Sequence, residues 1–116
     1  EEQDKTLFAE FWGQYVDHVA MVELQERWDT YANQPVAKEK LLPCGALWER
    51  MYIWFDGTVN PCDVDSKSHL STGNIESHSI ENVWQSHEYK ELRKNHLQGR
   101  RDEYDPCLRC DSYTCG

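Results

Sequence analysis

The chain has 116 residues, enough for one domain of ordinary size, and its five Trp, six Tyr and three Phe supply much of a small core. Twenty-one acidic residues against 12 basic ones give a formal net charge of −9, which disfavours binding to nucleic acid or to an anionic membrane surface. No apolar run is long enough to span a bilayer and no signal-peptide pattern occurs, so we expect a cytoplasmic protein with reduced cysteines.

The first forty residues predict a helix, a strand and a connection. Thr6 is the expected N-cap of a helix over residues 7–14. Residues 15–24 form an apolar, β-branched run that is typical of a strand covered on both faces, and such a strand needs neighbours. Residues 25–42 are polar and predict a connection between two units. The helix is expected to bury a stripe made of Leu7, Phe8, Phe11, Trp12 and Tyr15.

A β-hairpin is predicted around the dipeptide Asp56-Gly57. Apolar residues 51–55 and residues 58–60 flank this dipeptide, which suits a two-residue type I′ turn. In that register Phe55 pairs with Thr58. Cys62 then lies opposite residue 51, close to the segment that carries Cys44.

Two helices follow in the sequence. Ser79 is the expected cap of a short helix ending at Trp84, and Ser86 is the expected cap of a longer one ending at Gln98, with Gly99 as its stop. The first helix is expected to bury Ile80, Val83 and Trp84, and the second carries Tyr89, Leu92, Arg93 and His96 at helical spacing. Together the elements predict an α+β fold, with a small hairpin and helices around a four-cysteine site, preceded by a helix–strand unit.

Four cysteines form two pairs with the spacing of metal ligands. Cys107 and Cys110 are separated by two residues, and the hairpin brings Cys44 near Cys62. Three of the four follow a proline, which stiffens the loop that presents the thiolate. The set meets the four-thiolate requirement of either a tetrahedral zinc ion or an iron–sulfur cluster.

Other interpretations of the cysteines remain open at this point. One is that the thiols bind no metal, and another is that they are joined in disulfides. A third is a redox dithiol, which the absence of the βαβ frame of a thioredoxin-like protein disfavours. Cys115 is a fifth, free thiol or takes the place of Cys110 in the ligand set. No signature of a catalytic residue occurs, and we expect Asp63 and Asp65 to be solvated or capping carboxylates.

An ordered set of positions from about residue 41 to 110 matches a known family. These positions are Pro43-Cys44, Leu47-Trp48, Ile53, Asp56-Gly57, Val59, Pro61-Cys62, Asp65, Gly73-Asn74-Ile75, Ser79-Ile80, Val83-Trp84, Leu92-Arg93, His96-Leu97, Pro106-Cys107 and Cys110. In them the chain resembles the SPASM domain, the C-terminal auxiliary-cluster domain of many radical S-adenosylmethionine enzymes. The resemblance implies two parts: residues 1–40, a helix–strand fragment and linker from the end of a radical enzyme barrel, and residues 41–116, the SPASM domain.

The cofactor implied by the resemblance is one [4Fe–4S] cluster ligated by Cys44, Cys62, Cys107 and Cys110, with zinc a possible occupant after purification in air. In the family such clusters are proposed to relay electrons, to help bind substrate or to support the fold. Two-cluster members carry further cysteines at other spacings, and the four-residue gap before Cys115 does not match them. A single-cluster subtype is therefore expected.

The enzymatic activity implied by the resemblance belongs to a longer protein. The motif Cys-x3-Cys-x2-Cys, which holds the cluster that cleaves S-adenosylmethionine, does not occur in the chain, so this chain alone has no expected catalytic residue. Because the chain begins with Glu1 rather than Met, we expect a missing N-terminal portion. The resemblance implies that this portion is a radical enzyme barrel, which binds S-adenosylmethionine and a peptide or small-molecule substrate. The alternative function is a structural zinc-binding or protein-interaction module using the same four cysteines.

Overall fold

A computed structural model describes residues 4–23 and 29–111 of the chain. Helices and a small antiparallel sheet alternate within these residues, so the predicted α+β class is confirmed. No helix among the described residues has the length and apolar character needed to cross a membrane. The elements are α1 (Lys5–Trp12), α2 (Ala46–Glu49), β1 (Tyr52–Ile53), β2 (Thr58–Asn60), β3 (Gly73–Asn74), α3 (Ile80–Trp84) and α4 (His87–Leu97), together with short 3-10 turns at Thr30–Ala32, Lys38–Lys40, Arg101–Glu103 and Cys107–Arg109.

Helix α1 begins two residues earlier than predicted. The carboxylate of Asp4 accepts hydrogen bonds from the backbone N–H groups of Thr6 and Leu7 at 2.9 and 3.1 Å, so Asp4 is the N-cap and Thr6 lies inside the helix. The prediction of Thr6 as the cap is therefore wrong. An aspartate at this position satisfies two amides that have no partner within the helix, which favours the earlier start.

The apolar face of α1 is exposed rather than buried, contrary to the prediction. No residue of α1 is buried, and Leu7 and Tyr15 keep 64% and 68% of their surface exposed. The rings contact one another instead, as in the edge-to-face pair of Phe11 and Trp12 with centroids 5.1 Å apart. The stripe has helical spacing, but no described element lies close enough to bury its side chains.

The predicted strand over residues 15–24 is not formed in its described part, residues 15–23, and Leu24 lies outside the described residues. A strand requires a neighbour to pair its backbone N–H and C=O groups. No described strand pairs with this segment, since the single three-stranded sheet of the described residues is made of β1, β2 and β3.

The hairpin forms as predicted, but its loop is one residue longer. The N–H of Trp54 donates to the carbonyl of Thr58 and the N–H of Gly57 donates to the carbonyl of Trp54, both at 2.9 Å. Gly57 alone in the loop has a positive φ, +81°, which is the pattern of a three-residue loop with a glycine bulge rather than of a type I′ turn. Phe55 therefore lies in the loop, fully exposed, and does not pair with Thr58.

The observed register joins Tyr52 to Asn60 and Ile53 to Val59. It differs by one residue from the predicted register, so the expected pairing of Cys62 with residue 51 is also wrong. Because side chains alternate between the two faces of a strand, this shift moves each side chain of one strand to the opposite face relative to its partner. Val59 faces the core in the observed register and is completely buried.

Strand β3 was not predicted, because two residues carry no alternating pattern. Gly73 lies opposite Val59, and Asn74 lies opposite Thr58. Gly73 has φ +152°, and a Cβ at this position would come within 3.3 Å of the Val83 side chain. The missing side chain thus allows β3 to approach α3 closely.

Helices α3 and α4 have the predicted caps. The hydroxyl of Ser79 accepts from the N–H of residue 82 at 3.1 Å, and that of Ser86 accepts from the N–H of residue 89 at 3.3 Å. Helix α4 ends at Leu97, one residue before the predicted end, and Gly99 follows with φ +71°. The predicted burial of Ile80 is wrong: this side chain, at the first position of α3, is 57% exposed, whereas Val83 is 2% exposed.

Two small cores each include a residue of α4. One contains Val59, Val83 and Tyr89, and the other contains Leu47, Leu70, Leu92 and Cys107. Arg93 joins the elements around them: its Nε donates to the carbonyl of Leu47 at 2.8 Å and its Nη1 to that of Trp84 at 2.9 Å. The second core places a cysteine among leucines, directly beside the candidate site.

Candidate metal centre

Four cysteines from three separate segments line one cavity. Cys44 lies just before α2, Cys62 lies just after β2, and Cys107 and Cys110 begin and follow the last 3-10 turn. None of the four is joined in a disulfide. Much of the remaining wall is apolar, with Ala46, Leu47, Tyr52, Pro61, Val64 and Leu70 among its residues. The fold thus concentrates four sulfur donors in a largely apolar environment.

Cys44 is fixed by the start of α2 and by α4. Its carbonyl accepts from the N–H of Leu47 at 3.3 Å, and its own N–H donates to Nδ1 of His96 at 3.3 Å. Leu47 is 3% exposed and His96 is 1% exposed. The backbone of Cys44 is therefore held on the buried face of the longest described helix.

Cys62 lies in a loop that is closed by two buried polar side chains. The amide of Asn60 donates to the carbonyl of Asp65 at 3.0 Å. The carboxylate of Asp65 accepts from the N–H groups of His69 at 3.2 Å and Leu70 at 2.8 Å. Asp65 is completely buried and acts as a cap for its own loop, which agrees with the expected capping role.

Tyr31 closes this loop from the connection between the two units. Its hydroxyl donates to the carboxylate of Asp65, and its ring contacts the ring of His69 with centroids 5.2 Å apart. Burial, followed by the hydrogen bond and the charge of Asp65, raises the pKa of Tyr31 above its usual range. The phenol therefore remains a neutral donor to the carboxylate at physiological pH.

The loop that carries Cys107 and Cys110 is held by Arg101. Its Nη1 donates to the carbonyl of Leu42 and its Nη2 to the carbonyl of Cys110, both at 2.7 Å. The N–H of Leu108 also donates to the carbonyl of residue 104 at 2.8 Å. One buried guanidinium thus ties the paired-cysteine loop to the segment before Cys44.

The connection between the units also contacts the paired-cysteine loop. The N–H of Val36 donates to the carbonyl of Leu108 at 2.8 Å. The Nη1 of Arg109 donates to the carbonyl of Asn33 at 2.8 Å, while its Nε bonds Asp105 at 3.0 Å. The polar segment predicted only as a connection therefore supports the loop that carries two of the cysteines.

Burial controls the protonation of the cysteine thiols. It raises the pKa of Cys62 to about 11, with backbone N–H groups opposing the shift. Burial also raises the pKa of Cys107, where the charge of Arg101 opposes it and the neighbouring thiols add to it. Uncoordinated, both thiols keep their protons at neutral pH, so a metal that binds here must displace them.

The donor set of the cavity consists of four thiols. Within residues 4–23 and 29–111, no three His, Cys, Asp or Glu side chains are grouped as one metal ion requires. A tetrahedral zinc ion holds each sulfur at about 2.3 Å, which brings every pair of sulfurs within about 4 Å. An iron–sulfur cluster distributes its four thiolates over several iron atoms. The four cysteines that line the cavity supply the number and type of ligand that such a cluster uses.

Two further residues of the cavity wall carry buried nitrogen atoms without a hydrogen-bond partner in residues 4–23 and 29–111. These atoms are Nε2 of His96 and Nε of Arg101. In the sequence His96 lies on a stripe with helical spacing, whereas no pattern indicates a role for Arg101. The signal available in the sequence was a histidine four residues after Leu92, on the face of α4 that faces the core.

The role of Cys115 stays a prediction, because this residue lies outside the described residues.

Residues 44–111 of the chain match the family model described as "SPASM: Iron-sulfur cluster-binding domain". The matched span begins at Cys44 and includes Cys62, Cys107 and Cys110, but it ends before Cys115. Comparisons with curated proteins and with solved structures gave no match.

Proposed function

The chain belongs to the SPASM family of iron–sulfur cluster-binding domains, and we propose from this that it is the auxiliary-cluster domain of a radical S-adenosylmethionine enzyme. In this role it assists substrate binding, electron relay or fold stability. The proposal assigns cleavage of S-adenosylmethionine to a barrel upstream of this chain, because the motif needed for that step is absent from these 116 residues.

Cys44, Cys62, Cys107 and Cys110 are the proposed ligands of one [4Fe–4S] cluster. The observation that carries this assignment is the meeting of four cysteines from three segments, none of them in a disulfide, at one largely apolar cavity. When bound, the cluster supplies a one-electron redox centre. The residues of the chain limit the access of water to it: Cys107 and Cys110 are 9% and 7% exposed, and Leu47 and Leu70 cover the wall beside them.

The exposed face of α1 supports a partner for the first part of the chain. Leu7, Phe11 and Trp12 of α1 are each more than 40% exposed, and so is Tyr15 in the turn that follows the helix. An aromatic face of this kind is typical of a surface that another structural unit covers. The proposed partner is the rest of the barrel, of which residues 1–40 form the last part, and the proposed substrate is a peptide or a small molecule.

Metal analysis of protein purified without oxygen tests the cluster assignment. We expect about four iron and four sulfide per chain and the broad visible absorption of iron thiolates. Stoichiometric zinc with no iron or sulfide would overturn the assignment and favour a structural zinc module. The enzyme assignment is tested separately by the coding sequence upstream of Glu1, where the proposal expects a Cys-x3-Cys-x2-Cys motif. An upstream region that lacks the motif would refute it.

A further inference from the structure

Two buried N–H groups on the wall of the four-cysteine cavity have no hydrogen-bond partner among the described residues. They are Nε2 of His96, whose side chain belongs to a residue 1% exposed, and Nε of Arg101, in a residue 3% exposed. A buried donor that loses its water without gaining an acceptor destabilises the fold, and such groups are rare in folded proteins. Two of them on one cavity wall indicate an acceptor inside that cavity.

The protonation of His96 follows from its one hydrogen bond. The backbone N–H of Cys44 donates to Nδ1 at 3.3 Å, so Nδ1 carries the lone pair. In a neutral imidazole the proton is then on Nε2. This tautomer makes Nε2 a donor and prevents it from acting as a metal ligand.

Arg101 is oriented by the two ends of its guanidinium group. Nη1 and Nη2 each donate to a backbone carbonyl at 2.7 Å, those of Leu42 and Cys110. The planar guanidinium is therefore fixed, and Nε–H is a donor in a set position. No acidic side chain is paired with Arg101 in the described ion pairs, so its charge is available to the cavity.

We propose that Nε2–H of His96 and Nε–H of Arg101 donate hydrogen bonds to sulfur atoms of the iron–sulfur cluster and raise its reduction potential. The proposal rests on the proposed function, since it requires a cluster in the four-cysteine cavity. A cluster held by four thiolates gains negative charge when it is reduced, so hydrogen bonds to its sulfurs and a nearby positive charge favour the reduced state.

Two substitutions of His96 by amide side chains distinguish the roles of its two ring nitrogens. The short side chain in His96→Asn keeps an oxygen near the position of Nδ1, where it accepts from Cys44, but does not reach the position of Nε2. The longer side chain in His96→Gln places an N–H group near the position of Nε2. We expect the midpoint potential, measured by an anaerobic redox titration followed by electron paramagnetic resonance, to fall in His96→Asn and to stay near the parent value in His96→Gln.

A second pair of variants distinguishes the effect of Arg101 at the cavity from the effect of losing one positive charge anywhere in the chain. Arg101→Met and Lys94→Met each remove one positive charge, but Lys94 is exposed on α4 and does not line the cavity. We expect Arg101→Met to shift the equilibrium between reduced and oxidised cluster about tenfold towards the oxidised form, about 59 mV for a one-electron couple. Lys94→Met should shift it much less.

A measurement on the parent chain tests the proposal even if a variant does not incorporate the cluster. With nitrogen-15 in all histidine rings, hyperfine spectroscopy of the reduced cluster should detect one coupled ring nitrogen and an exchangeable proton, since among the five histidines only His96 lines the cavity. A loaded chain with neither signal, or variants that load fully and titrate at the parent potential, would overturn the proposal. A chain that takes up no iron would refute the proposed function instead.

Discussion

The backbone N–H of Cys44 and Nδ1 of His96 form a hydrogen bond of 3.3 Å across 52 positions of the sequence. This bond joins the first proposed ligand to the buried face of α4. It also determines which nitrogen of the ring carries a proton, because an imidazole that accepts at Nδ1 is protonated at Nε2 when neutral. One backbone contact therefore couples the position of a cysteine to the donor that faces the candidate metal centre.

His96 makes the stability of the chain depend on pH. Burial, and then the charge of Arg101, lower its pKa from 6.5 to about 4. Between these values the unfolded chain binds a proton that the folded chain excludes, so stability is complete above 6.5 and falls as the pH decreases towards 4. From about pH 6.5 to about pH 5 we expect a loss of about 2 kcal/mol in the free energy of unfolding from this residue.

Urea unfolding of the cluster-loaded chain, followed anaerobically at several pH values, measures this loss. His96→Gln is the control, because glutamine does not titrate and retains a side chain of similar reach. The parent should lose more stability than the variant over this range. Equal slopes of stability against pH in the two proteins would contradict the expectation.

Asp65 is expected to matter more for stability than its partner Tyr31. In Asp65→Asn one carboxylate oxygen becomes an amide N–H₂ group, so one of the donors His69, Leu70 or Tyr31 loses its acceptor in a buried site. The expected cost is about 1–3 kcal/mol. Tyr31→Phe removes one donor and leaves the two backbone bonds to Asp65 intact, so about 1 kcal/mol is expected.

Denaturant unfolding compares these two variants with Asp56→Asn, which alters an exposed carboxylate in the hairpin loop. A smaller loss in Asp65→Asn than in Tyr31→Phe would show that the buried carboxylate does not hold the loop around Cys62.

Gly57 and Gly99 provide a matched test of the hairpin loop. Both have positive φ, +81° and +71°, so replacement by alanine strains the backbone at each by about 1 kcal/mol. Only at Gly57 would the new Cβ approach another atom, Oδ1 of Asn74 at 2.7 Å, whereas nothing lies within 4 Å at Gly99. The Asn74 oxygen also accepts from the N–H of Glu76 at 2.8 Å, so moving it costs that bond.

Gly57→Ala should therefore lower the free energy of unfolding by about 1 kcal/mol more than Gly99→Ala does, the size of one lost hydrogen bond. Thermal or urea unfolding of both variants gives the comparison. Equal losses would indicate that the contact between the hairpin loop and the turn after β3 contributes nothing.

Local signals in the sequence predict the second half of the fold well. Ser79, Ser86 and Gly99 mark the ends of α3 and α4 through hydrogen bonds and dihedral angles that involve only nearby residues. The Asp56-Gly57 dipeptide likewise predicts a hairpin. It does not distinguish a two-residue from a three-residue loop, because both place glycine at a positive φ, and the register is wrong by one residue for this reason.

Features that depend on distant residues are not predictable in this way. The apolar stripe of α1 has the spacing of a buried face, but burial requires another unit to cover it. The spacing of the cysteines predicts which thiols come together, while the unpaired donors of His96 and Arg101 become visible only when α4 and the last 3-10 turns pack around the cavity. The capping role of Asp65 lies between these cases, since its partners Tyr31 and Leu70 come from both sides of the sequence.

Iron content of single serine variants tests the central claim most directly. Each of the four proposed ligands is replaced in turn by serine, with Cys115→Ser as the matched control, and iron and sulfide per chain are measured after anaerobic reconstitution. We expect Cys44→Ser, Cys62→Ser, Cys107→Ser and Cys110→Ser each to lose most of the iron, and Cys115→Ser to keep it. Full iron content in any of the four, or an equal loss in Cys115→Ser, would contradict the ligand assignment.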